Sequence, residues 1–122
     1  APAALVVIDA LAAKATQRLG RTVQLSDAGI VPGSGVGNAR SELSQNTLGI
    51  PVVAMGVPTV VDVGTLVREY TQEDIEEERS RMMVTSKEID QIIARISKVL
   101  ALAVNRALQP HLSAEDIALL TD

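Results

Sequence analysis

Two short runs of aliphatic residues, Leu5 to Ile8 and Ile50 to Met55, constrain the fold of this chain more than any other feature. Each is too short for a buried helix and rich in β-branched side chains, so each is expected to be a strand. The second suits a parallel strand covered on both faces. After the first run, which ends at Asp9, the pattern from Ala10 to Leu19 turns alanine-rich and helical until Gly20 stops it. Thr22 to Ser26 alternates as a further strand, and Asp27 to Asn38 is a loop dense in Gly and Pro. A short helix is expected from Ala39 to Leu48. Another is expected from Thr59 to about Tyr70, with Thr59 as N-cap and Asp62 as its capping-box partner. This alternation implies an α/β fold, a mainly parallel sheet with flanking helices.

Thr71 to Arg81 changes character, being highly charged and almost free of aliphatics, and is expected to be an acidic connector with at most a short exposed helix. Thr85 and Glu88 form a capping-box pattern with Val84 and Ile89 at staple positions. Ile89, Ile92, Ile93, Ile96, Val99, Leu100 and Ala103 then recur at helical spacing, which predicts a long amphipathic helix over 85–108 with one face on the sheet. Ser113 to Leu120 adds an amphipathic turn or two. At 122 residues, the chain is expected to be one domain or part of one.

With no Phe, Trp or Cys and one Tyr, the core must come from Ala, Val, Leu, Ile and Met, and disulfides and thiolate metal sites are excluded. No apolar run approaches the ~20 residues of a membrane span. A formal net charge of -4 without a Lys/Arg cluster argues against a nucleic-acid surface. A soluble protein with no direct nucleic-acid partner and no membrane partner is expected.

The candidate chemistry is sparse. Gly33, Gly35 and Gly37 in PGSGVGN suggest a phosphate loop, but the spacing fits neither the dinucleotide nor the Walker pattern. Ser34 lacks the preceding glycine of a nucleophile elbow. His111, the only histidine, has too few companions for a zinc site, so no metal or other cofactor is expected. Asp9 stands where a buried strand is expected to deliver its last residue to the sheet rim, the edge at which open α/β sheets bind ligands. The same position suits a helix N-cap, and both readings stand. Asp27 opens the glycine loop and is equally a favoured turn residue.

The strings ALVVIDALAA (Ala4 to Ala13), PGSGVGNARSELSQNTLGIPVVAMGVPTVVD (Pro32 to Asp62) and MVTSKEID (Met83 to Asp90) resemble, in order, blocks of the germination protease family. That family degrades the small acid-soluble proteins of bacterial endospores. The resemblance implies an endopeptidase of the spore core, made as a zymogen, with a fold similar to the hydrogenase maturation endopeptidases. It implies that Asp9 is one of two catalytic aspartates and that the other lies in an earlier block absent from these residues. Asp27, Gly33, Ser34, Gly35, Gly37 and Asn38 would line the substrate cleft. Val31 stands where many members of the family carry His. The partners implied are the spore-protein substrate, the N-terminal half of the enzyme and further copies of the chain. An interaction domain without activity and a metal-dependent maturation peptidase are the alternatives.

Overall fold

The structure is a computed structural model that describes residues 2–121. It comprises two compact units, Ala1–Lys87 and Glu88–Asp122. The first holds the sheet. Its central strand, β3 (Val52–Asp62), is flanked on one side by β1 (Leu5–Ala13) in parallel, and on the other by the antiparallel β2 (Gln24–Ser26) and β4 (Met83–Val84). The fold is α/β as expected. Only the β1–β3 pair is parallel, so the sheet is mixed.

Both aliphatic runs are strands, and both extend beyond the expected ends. Ala10–Ala13 continues β1 instead of starting a helix, and only Thr16–Arg18 forms a short 3₁₀ turn. The reason is pairing with Val57, Pro58, Val60 and Val61, whose strand overrides the helical preference of Ala and Leu. Val57–Asp62 in turn continues β3, where a helix start at Thr59 was expected. A register shift lies opposite Leu11/Ala12, and this bulge accommodates Pro58, which has no N–H to give. Val61 is 1% exposed, and burying it on the sheet outweighs capping by Thr59.

Asp62 is the actual cap. Its Oδ1 accepts the Thr65 N–H at 2.5 Å and opens α2 (Val63–Thr71). Of the helix expected over Ala39–Leu48, only α1 (Gln45–Leu48) forms, because the Ile30–Leu43 bridge keeps the preceding residues extended. Ser44 and Thr47 close a capping box there. A short exposed helix, α3 (Glu77–Ser80), lies in the charged connector.

The core is aliphatic: Ala13, Val52, Ala54, Val57, Val61 and Pro58 are buried. One face of the sheet carries a row of exposed aliphatic side chains. Val6 pairs with Val53, and Ile8 with Met55, which also pairs with Leu25. In this patch Ile8 remains 53% and Leu25 69% exposed, and Val53 is exposed too, contrary to the expectation of a strand buried on both faces. The outer edge of β1 has no partner among the described residues.

The second unit is a helix pair, α4 (Ile89–Leu108) and α5 (Ala114–Thr121). α4 begins four residues after Thr85, whose hydroxyl donates to the Thr59 carbonyl and so caps no helix. Leu100 and Ile117 are its buried apolar side chains. Ser113 and Asp116 cap α5 reciprocally, each N–H meeting the other's side-chain oxygen at 3.1 Å.

Candidate functional site

Asp9 sits in the middle of β1, not at its end. Four more strand residues follow, about 13 Å of chain, so neither the rim position nor the N-cap role expected of it holds. Its register partner is Gly56 of β3, whose partner on the other side is Gln24 of β2. Residues directly opposite one another share a face of a sheet, so Asp9, Gly56 and Gln24 form one row, with Asp9 and Gln24 about 10 Å apart.

Gly56 makes this row possible. A Cβ there would overlap Leu11 Cδ1 and stand 2.8 Å from Leu11 Cγ, so the Leu11 side chain occupies the space above the glycine. Leu11 lies two residues after Asp9 and on the same face. The Asp9 Oδ2 atom is buried and has no hydrogen-bond partner among the described residues. A buried acceptor without a donor is costly, and in native structures such groups are few. The cost is consistent with an oxygen reserved for a ligand, a water or a reacting group.

The glycine loop lies further along β1. Gly33 and Gly37 adopt positive φ of 77° and 73° on either side of the Ser34–Val36 turn. A Cβ on Gly33 would strike the Asn38 carbonyl oxygen, so the loop can close only around glycine. The Asn38 N–H donates to the Gly33 carbonyl at 2.9 Å and the Arg40 N–H to the Pro32 carbonyl at 2.8 Å. Gly35 is pressed on Ala12, where an added Cβ would be 3.0 Å from the Ala12 nitrogen. The loop thus leans on the end of β1, about 10 Å beyond Asp9.

Ser34 and Gly35 line a cleft of about 330 Å³ with Leu11, Ala12, Lys14, Arg18 and Gln24. Gln24 and Leu11 connect this cleft to the Asp9 row. Asp27 is not brought to the site. It is exposed and follows β2, which runs antiparallel to β3, so it lies toward Val53 and away from Gly56. Neither Gly33, Gly37 nor Asn38 lines the cleft; they shape the loop that does. His111 is exposed in the turn between α4 and α5. Among the described residues no cluster of His, Asp and Glu has the arrangement of a metal site.

Sequence reasoning missed Gln24, Leu11 and Gly56, together with the basic pair Lys14 and Arg18. Gly56 carried a signal, since a glycine inside an aliphatic strand marks close approach by a neighbour. Gln24 carried none, because only the β2–β3 register places it beside Asp9.

Residues 1–77 match the family described as Germination protease, a span that includes Asp9, Gln24, the glycine loop and Gly56. The chain belongs to the germination protease family. A germination protease of Clostridium perfringens is 39% identical over 149 residues, covering 95% of this chain and 46% of that protein. One from Bacillus cytotoxicus is 32% identical over 179 residues, covering 94% of the chain and 49% of that protein. One from Bacillus pumilus is 63% identical over 65 residues, covering 53% of the chain and 18% of that protein. The chain spans about half the length of the curated germination proteases it matches. Alignments of 149 and 179 positions exceed the 122 residues of the chain, so these relatives carry stretches that it lacks. The family match stops at residue 77, in the charged connector.

Proposed function

We propose that this chain is the Asp9-bearing part of an endopeptidase that degrades small acid-soluble spore proteins during germination. The buried, partnerless Asp9 Oδ2, inside the family-matched residues, is the observation that carries the reading. In this mechanism Asp9 and a second carboxylate from the remainder of the protein hold one water between them. The ionised carboxylate takes a proton from the water as its oxygen attacks the scissile carbonyl carbon. The protonated partner then gives its proton to the leaving nitrogen as the C–N bond breaks. Gln24 and the cleft beside it would position the substrate backbone. Two like charges held close cannot both ionise cheaply, which supplies the split into acid and base.

The isolated chain is then inert, because one member of the pair is absent. Combined with the remaining part of the protein, it should cleave an acid-soluble spore protein. Asp9→Asn should lower that rate at least ~100-fold, the low end of general acid/base contributions, without loss of folding. Near-normal cleavage by a folded Asp9→Asn protein would remove Asp9 from the mechanism. Chelator-sensitive hydrolysis would transfer the reading to a metal-dependent peptidase.

A further inference from the structure

A second cavity, about 380 Å³, lies on the other side of the glycine loop. Its lining includes Gly35, Gly37, Asp62, Arg68, Ser80 and Arg81. The volume is at the lower end of the ~300–1,000 Å³ usual for small-ligand sites. Two arginines, Arg68 and Arg81, line it in a chain whose net charge is -4. The Arg68 side chain has no hydrogen-bonded or acidic partner among the described residues, while Arg81 is paired with Glu77 one turn away. Asp62, the one carboxylate in the lining, is engaged by the Thr65 N–H, so the α2 N-terminus is already occupied. The attraction for a ligand therefore comes from the arginines.

The cavity is held in shape. The Val63 N–H donates to the Met82 carbonyl at 2.8 Å, and a Cβ on Gly64 would stand 2.8 Å from Ser80 Cβ, so the connector is seated on the start of α2. Gly37 has nothing within 4 Å of its would-be Cβ, which leaves room above the loop. The glycines, Asp62 and Arg68 lie within the family-matched residues 1–77, whereas Ser80 and Arg81 lie beyond them.

We infer that this cavity is a binding site for a single oxyanion, a carboxylate or phosphate, gripped by Arg68 from α2 and Arg81 from the connector. Guanidinium donors match either group with two parallel hydrogen bonds. The source is either the acidic side chain of a bound peptide or a free small anion. The site goes beyond the peptidase reading, and its occupancy is read without hydrolysis, so failure here leaves the Asp9 chemistry untouched.

The test is an amide-shift titration of the full chain with inorganic phosphate, with a terminally blocked Ala-Glu-Ala peptide, and with Ala-Gln-Ala as control. Saturable shifts at Gly35, Gly37, Arg68 and Ser80 are expected with phosphate or the Glu peptide and not with the Gln peptide. Shifts with the Glu peptide alone assign an acidic-residue subsite, and shifts with phosphate alone assign a free-anion site. Combining Arg68→Gln with Arg81→Gln should weaken binding at least about tenfold, the loss of one charge-assisted hydrogen bond or more. Arg68→Lys keeps the charge but not the fork and should bind with intermediate affinity. No saturable shift with either anion, or affinity unchanged in the double variant, would overturn the inference.

Discussion

The packing of Leu11 over Gly56 can be tested by adding one methyl group. Gly56→Ala places a Cβ inside the contact radius of Leu11 Cδ1 and 2.8 Å from Cγ. The backbone of β3 is fixed by strands on both sides, so Leu11 must move. Turning a side chain off its rotamer costs about 0.5–1.5 kcal/mol, and overpacking in general about 1–3 kcal/mol. Leu11 is only half-buried and can swing outward, which selects the lower part of that range, about 1–1.5 kcal/mol. For a unit of this size each kcal/mol lowers the thermal midpoint by about 4–8 °C. The decisive assay is a double-mutant cycle by urea denaturation. In a Leu11→Ala background the clash is gone, so Gly56→Ala should cost little, with a coupling of about 1 kcal/mol between the two sites. Additive costs would refute the contact.

Asp9→Leu should stabilise the fold by about 1 kcal/mol, measured as a higher midpoint in urea, because it removes a buried oxygen with no donor; a large destabilisation would reveal a structural role for the carboxylate. Gly33→Ala, forced to a φ of 77° against the Asn38 carbonyl, should open the loop and speed hydrogen exchange at the Asn38 and Arg40 amides, leaving the β1–β3 amides protected. The Thr16 hydroxyl, and then its backbone N–H, hold the Glu69 carboxyl below its ordinary value. That contribution is present above the unfolded-state value and lost as pH falls through the folded one, so Glu69→Gln should flatten the pH dependence of the melting midpoint below about pH 5. An unchanged slope would dissociate Glu69 from acid stability.

The existence of β1 and β3 was legible from their aliphatic runs, but their ends were not. Ala10–Ala13 and Val57–Val61 are strand because each pairs with the other, a long-range fact that alanine content and a proline conceal. Asp62 was read correctly as belonging to a helix start and given the wrong place in it, since the buried Val61 carries the strand past Thr59. Asp9 stood out as a charge closing an aliphatic run. Its neighbours in space did not, because register cannot be read from one strand. Asp27 looked equivalent to Asp9 by its position after a strand, and the antiparallel direction of β2 sends it the other way.

Among the described residues, each of the other strands of the sheet pairs with β3 alone. That arrangement has a kinetic consequence. Leu5 meets Val52 and Gln24 meets Gly56, so no part of the sheet can close before the chain has been made almost to α2. Loop-closure entropy is spent before any pairing repays it, which places the unit among the slower folders for its length. On a ribosome adding ~5–20 residues per second, β1 would wait several seconds, with Val6 and Ile8 in water, before its partner strand emerged. The alternation that leaves a single charge, Asp9, along β1 therefore also leaves little to keep that strand from pairing elsewhere during the wait.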